Sequence, residues 1–114
     1  MQIECRKEDS VFVLRSLQWT VDSSSAPEFQ QHLAQAVQDG NDRIVLDTVR
    51  VSVIDTSVLG VILSTLKSLG GDGEIAISST QQSVDQLFKV TRMDKLLQMF
   101  STTEEASEAL QSRS

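Results

Sequence analysis

The sequence predicts an α/β domain built on a small, mostly parallel β-sheet. Short apolar segments typical of strands alternate along the chain with segments whose apolar residues recur at helical spacing. This alternation is typical of a parallel sheet covered by helices. The chain has 114 residues, close to the commonest size of one domain, and no linker or internal repeat divides it. We therefore expect one domain over residues 1–114, with four to five strands packed against about four to five helices.

The first predicted elements are two strands. Between residues 11 and 21 the apolar side chains fall on alternate positions, which is the periodicity of a strand with one buried face. These apolar residues are Val11, Val13, Leu17, Trp19 and Val21. The alternation predicts that Trp19 fills the core. We expect residues 2–7 to pair with this strand as a hairpin through residues 8–10.

The first helix is predicted to begin within the segment "DSSSAPEF". Ser25 can cap it, Glu28 three residues later can complete a capping box, and Pro27 is tolerated in the first turn. Four apolar residues at spacing i, i+4, i+7 and i+8 predict its buried face: Phe29, Leu33, Ala36 and Val37. Gly40 is expected to end the helix. The continuous apolar run 44–46 then predicts a central strand covered on both faces.

A second helix is predicted to begin at Asp55, after a connection over residues 49–54. Its apolar residues recur at i, i+3, i+4, i+7 and i+10, and they are Leu59, Ile62, Leu63, Leu66 and Leu69. Gly70 and Gly71 are expected to stop this helix.

The last third of the chain predicts two more strands and two more helices. The segment "GEIAIS" is typical of a short strand, and a helix is expected from about Gln81, with Val84, Leu87 and Phe88 inward. The segment "KLLQMF" predicts a short strand or turn. Thr102 and Glu105 then have the spacing of a capping box for a final helix.

Charge and composition exclude several classes of function. The formal net charge of −6 argues against nucleic acid and anionic membranes as partners, because both bind basic surfaces. The single cysteine cannot form an internal disulfide and no secretion signal is visible, so a cytoplasmic location is expected. The longest aliphatic run, around "VLGVIL", is far shorter than a membrane span, so membrane insertion is not expected.

Sequence signatures of enzymes are mostly missing. One histidine, His32, and one cysteine, Cys5, do not make a zinc-ligand cluster, and no glycine-rich nucleotide motif is present. We therefore predict a protein without catalytic activity, cofactor or metal.

Short polar residues stand where the predicted elements meet. They are Asp22 and Ser23, Asp47 and Thr48, and Asp55, Thr56 and Ser57. The carboxyl ends of parallel strands share one edge of a sheet, where functional sites form. The same residue types are also the preferred helix caps, and the spacing by itself leaves capping and a functional site both open. A hydroxyl at a helix start, such as Ser57, can accept a phosphoryl group without unfolding the helix.

The stretch "RIVLDTVRVSVIDTSVLGVILSTLKSLGGDGEIAIS" resembles the STAS domain of bacterial anti-sigma-factor antagonists. The family pattern is an apolar strand ending in Asp, a short connection, and Asp-Ser-Ser/Thr-Gly-Leu-Gly opening a helix. The segments "TVDSSSAPEFQQHL" and "VDQLFKVTRMDKLLQMFSTTEEASEAL" extend the resemblance over nearly the whole chain. The resemblance implies a STAS-like fold and a non-enzymatic phosphoprotein of bacterial signal transduction and transcription regulation.

The resemblance also implies a site and partners. The phosphorylated hydroxyl would be Ser57, with Thr56 as second choice, and Asp22 would lie nearby on the partner surface. The implied partner-binding residues are Asp22, Ser23, Asp55, Thr56, Ser57, Val58 and Leu59. The implied partners are an anti-sigma factor that is a serine kinase of the histidine-kinase-like ATPase type, and a PP2C-type serine phosphatase. No particular oligomeric state is predicted.

Two positions depart from the family pattern. Val58 stands where Gly usually follows the phosphoacceptor, and "LQWTVD" lacks the Gly that usually precedes the Asp. Val58 is expected to be an exposed apolar residue at the head of the helix, beside the hydroxyl, where it contacts the partner.

Two other functions stay open at this point. The first is a constitutive STAS accessory subunit that docks onto a transporter or signalling assembly without phosphorylation, which Val58 in place of Gly slightly favours. The second is a phospho-aspartate receiver using Asp22, Asp47 and Asp55 around Mg²⁺. The sequence lacks the acidic pair after the first strand and the downstream Lys that a receiver needs.

Overall fold

A computed structural model describes residues 2–111. The strands in chain order are β1 (Ile3–Glu8), β2 (Val11–Ser16), β3 (Thr20–Val21), β4 (Arg43–Asp47), β5 (Val53–Ile54), β6 (Glu74–Ser78) and β7 (Gln98–Phe100). The helices are α1 (Ala26–Gln38), α2 (Thr56–Ser68), α3 (Gln82–Val90) and α4 (Thr103–Gln111), with a 3₁₀ turn at Met93–Lys95. The predicted class is confirmed, because a mixed sheet and four helices form one small α/β domain over these residues.

The main sheet has five strands in the order β1-β2-β4-β6-β7. The hairpin β1-β2 is antiparallel, as predicted, and the other three pairings are parallel. The remaining strands, β3 and β5, form a separate two-stranded parallel pair. In the sheet, the parallel strands therefore bring their carboxyl ends to one edge, as the sequence led us to expect.

Helices cover both faces of the main sheet. In β4, Ile44 and Leu46 pack into the larger core, which α1, α2 and α3 complete. Val45, between them, belongs to a smaller core on the opposite face, together with Ala106 and Leu110 of α4. Burial on both faces explains why this strand has a continuous apolar sequence rather than an alternating one.

The predicted strand over residues 11–21 is divided, and Trp19 is not in the core. Strand β2 ends at Ser16, whose hydroxyl accepts a hydrogen bond from the Gln18 N–H at 3.3 Å. The chain then leaves the main sheet, and β3 pairs with β5 instead of continuing beside β4. Because this break interrupts the alternation of faces, the Trp19 side chain is 68% exposed.

The start of α1 also differs from its prediction, whereas the start of α4 agrees. Ser25 provides no side-chain capping bond, and its N–H donates to the Asp22 carbonyl at 3.0 Å. At α4 the Glu105 N–H donates to the Thr102 hydroxyl at 3.1 Å, as the sequence predicted. Gly40 follows α1 with a φ of +93°, a left-handed conformation that favours glycine.

None of the helices within residues 2–111 has the length and apolar character needed to cross a lipid bilayer.

Candidate functional site at the ends of β3 and β5

The β3-β5 pair brings two aspartates to the same place. Val21 and Ile54 are paired in parallel register, so Asp22 and Asp55 each follow a paired residue. The Asp55 N–H also donates to the Val21 carbonyl at 3.1 Å. Since paired strands lie about 4.8 Å apart, both aspartates leave the pair side by side.

Asp55 is the N-cap of α2 and orients its first turn. Its Oδ1 accepts a hydrogen bond from the Ser57 N–H at 2.7 Å, and its carbonyl accepts one from the Val58 N–H at 3.0 Å. Thr56 and Ser57 are both exposed in this first turn. Ser57 is thus a hydroxyl on an ordered, accessible helix start, where the positive end of the helix dipole favours negative charge.

Asp22 organises the loop that leads into α1. Its Oδ1 accepts hydrogen bonds from the Ser24 N–H at 3.0 Å and the Ser24 hydroxyl at 2.6 Å. The Asp22 carbonyl accepts from the N–H groups of Ser25 and Ala26, both at 3.0 Å. The Ser24 hydroxyl and N–H lower the pKa of the Asp22 carboxyl, because both donate to its charged form. Ser23, beside them, is exposed.

This geometry predicts the titration of Asp22. We expect NMR to give an Asp22 pKa below that of a free aspartate, and Ser24→Ala to raise it toward the ordinary value. A lowered pKa in the folded protein stabilises the fold at pH values above the ordinary pKa of aspartate. This stabilisation is lost as the pH falls through the lowered pKa. Ser23→Ala is the matched control and should leave the Asp22 titration unchanged. An Asp22 pKa that Ser24→Ala does not move would contradict this assignment.

Val58 and Leu59 are both buried, so the prediction that Val58 is an exposed apolar residue is wrong. Val58 is 1% exposed and Leu59 is 5% exposed. Val58 lines a cavity of about 30 Å³ together with Val21 and Ile54, so its side chain faces the core beneath the β3-β5 pair. The reason is that Val58 lies one turn before the buried Ile62 on the same face of α2. Val58 therefore does not flank the Ser57 hydroxyl at the surface.

Asp47 and Thr48 are buried and have a structural role. The Asp47 side chain is 1% exposed; its Oδ2 accepts from Arg15 Nε at 2.8 Å and its Oδ1 from the Val49 N–H at 3.0 Å. The buried Thr48 hydroxyl donates to the Ser78 carbonyl at 2.9 Å. Within residues 2–111, no group of three or more His, Cys, Asp or Glu is placed to hold a metal ion.

Two exposed apolar residues next to the site were not predicted. Trp19 and Val53 are 68% and 47% exposed, and the Val53 N–H donates to the Trp19 carbonyl at 3.1 Å. The exposure of Trp19 was missed because the alternation of apolar residues predicted that this side chain lies in the core. The sequence feature that could have indicated the exposure of Trp19 is the break in alternation at Arg15, just before β2 ends.

Comparisons with known proteins agree with this fold. The STAS domain family model matches residues 2–106. The anti-sigma-B factor antagonist of Staphylococcus aureus (strain NCTC 8325 / PS 47) is 28% identical over 105 residues, which cover 91% of this chain and 96% of that protein.

Solved structures agree as well. An anti-sigma factor antagonist from Mycobacterium paratuberculosis superposes with a TM-score of 0.90 at 20% identity, covering 97% of this chain and 94% of that one. The Bacillus cell fate determinant SpoIIAA, solved in its phosphorylated form, superposes with a TM-score of 0.71 at 18% identity, covering 96% and 99% of the two chains. At these identities the structures establish the fold. With the family model matching almost the whole described chain, this protein belongs to the STAS-domain family.

Proposed function

We propose that this protein is a non-enzymatic partner-switching regulator. In its unphosphorylated form it binds an anti-sigma factor that is also a serine kinase of the histidine-kinase-like ATPase type. Phosphorylation of Ser57 releases it, and a PP2C-type serine phosphatase restores binding. The similarity to an anti-sigma-B factor antagonist over 91% of the chain supports this class of function.

The observation that carries the proposal is the position of Ser57. Its side chain is exposed in the first turn of α2, and its N–H is fixed by the Asp55 carboxylate at 2.7 Å. A kinase can therefore reach the hydroxyl without unfolding any part of the core. Val58 on the next position is buried, so it does not obstruct that approach.

Electrostatics explain how the phosphate would switch binding. Asp22 and Asp55 already give this surface two carboxylates. A phosphate on Ser57 adds about −1.5 to −2, which roughly doubles the local negative charge. In an interface, the added charge must lose its hydration and find new partners, and the cost of leaving it unpaired is several kcal/mol.

The test is to incubate the purified protein and ATP with each anti-sigma-factor kinase encoded in its genome, and to map phosphate by mass spectrometry. We expect one phosphate on Ser57, lost in Ser57→Ala and kept in Thr56→Ala. Thr56→Ala is the matched control because Thr56 is the adjacent exposed hydroxyl of the same turn. Phosphate on Thr56 alone would transfer the switch to that residue, and the absence of any kinase that binds and modifies the protein would refute the proposal.

Val58 in place of Gly does not favour constitutive docking, the alternative class, because Val58 is buried. A stable complex with a transporter subunit that neither ATP nor Ser57→Asp weakens would nevertheless favour docking over switching.

A further inference from the structure

Trp19 is a large apolar side chain held at the surface next to the candidate site. It is 68% exposed, and its carbonyl accepts hydrogen bonds from the N–H groups of Ser52 and Val53 at 2.8 and 3.1 Å. Val53, on the paired strand, is 47% exposed. These two residues form what we call the Trp19 patch.

Hydrogen bonds tie α3 to the connection beside the patch. Gln81 Nε2 donates to the Val49 carbonyl at 3.1 Å, and the Ser83 hydroxyl donates to the Ser52 carbonyl at 2.6 Å. Both bonds join the start of α3 to the connection that carries β5. This connection places the Val53 N–H against the Trp19 carbonyl.

The Trp19 patch is continuous with the surface around Ser57. Trp19 precedes Asp22 by three residues and Val53 precedes Asp55 by two, so about 10 Å and about 7 Å of extended chain separate the patch from the two aspartates. One partner of a standard protein interface buries about 800 Å², a patch roughly 30 Å across. An interface of this size that is centred near Ser57 is large enough to include Trp19.

Charge distinguishes the occupants that this surface fits. A second copy of the chain would bring another net charge of −6 against this surface. A regulator with an apolar pocket and cations at its rim would complement both the patch and the two carboxylates. The charge pattern thus favours a different protein over self-association.

We propose that Trp19 is the apolar anchor by which this protein binds its anti-sigma-factor partner, inserting into a pocket whose cationic rim contacts Asp22 and Asp55. This inference rests on the proposed function, because it names the chemistry of the partner of the same surface. Tryptophan is enriched among the few residues that carry most of the binding free energy of an interface.

The test uses the purified anti-sigma-factor kinase that binds the full chain. We expect Trp19→Ala to weaken binding about 30-fold, the effect typical of a hot-spot residue. Trp19→Phe should keep most of the affinity of the unmodified chain. Val90→Ala is the matched control, because Val90 is 80% exposed but ends α3, a helix that runs from the site toward the opposite edge of the sheet. Circular dichroism would verify that each variant is folded.

A second readout exploits the composition of the chain. Trp19 is the single tryptophan, so the protein labelled with 5-fluorotryptophan gives one ¹⁹F resonance. Adding unlabelled partner should shift this resonance, and the Ser57→Asp variant should require more partner for the same shift.

The outcomes separate this inference from the proposed function. If a kinase binds and modifies Ser57 but Trp19→Ala binds like the unmodified chain and the resonance does not move, the anchor is refuted while the switch stands. If no anti-sigma-factor kinase binds, both are refuted. If the resonance shifts with protein concentration alone and sedimentation shows a dimer, a second copy occupies the patch and the anchor assignment is overturned.

Discussion

Phosphorylation of Ser57 is expected to weaken binding to the anti-sigma factor by about 100-fold, equivalent to about 3 kcal/mol. The phosphate would be added beside Asp55, whose carboxylate already accepts from the Ser57 N–H. Ser57→Asp adds a smaller charge and should weaken binding about tenfold, whereas Ser57→Ala should bind like the unmodified protein. Isothermal titration calorimetry with the purified partner measures the affinities of the phosphorylated protein and of the two variants.

A charge-matched control is available at the opposite edge of the sheet. Ser10 is exposed in the β1-β2 turn, and the six residues of β2 separate it from the edge that carries Ser57 by about 20 Å. Ser10→Asp makes the same chemical change and should not alter affinity. Equal weakening by Ser10→Asp and Ser57→Asp would mean that net charge, rather than the site, controls binding.

Val58→Gly should destabilise the fold by about 3 kcal/mol while leaving Ser57 as accessible as before. The substitution restores the residue of the family pattern, yet it removes a side chain that is 1% exposed and borders an existing cavity of about 30 Å³. Burying a valine side chain contributes about 1.5–3 kcal/mol, and glycine in a helix costs up to about 1 kcal/mol more. Urea unfolding of Val58→Gly and of the unmodified chain measures this difference in the free energy of unfolding.

The neighbouring glycine of the same helix provides the contrast. Gly60 is exposed, and a Cβ added there meets nothing within 4 Å. Gly60→Ala should therefore raise the free energy of unfolding by about 0.5–1 kcal/mol.

Below its unfolding temperature, the Val58→Gly variant should be phosphorylated at the rate of the unmodified chain. A faster phosphorylation rate for Val58→Gly would mean that the Val58 side chain restricts the approach of the kinase to Ser57.

Most of the fold follows from the sequence because local patterns and helix-end chemistry agree with the packing. The apolar run 44–46 predicted a strand covered on both faces, and Thr102 predicted the cap of α4. Asp55 at the head of α2 is the clearest case, since its carboxylate caps the helix and also positions Ser57. The residues of the first turn were predictable because a capping aspartate fixes where the helix begins.

The α/β class, the order of the helices and of the main-sheet strands, and the position of Ser57 at a helix start could be predicted because they depend on neighbours along the chain. The direction in which Trp19 faces depends instead on the tertiary structure. Periodicity gives the relative faces of residues only while one element continues unbroken. The chain leaves the main sheet between β2 and β3, which exposes Trp19, whereas Val58 shares the buried face of the unbroken helix α2 with Ile62.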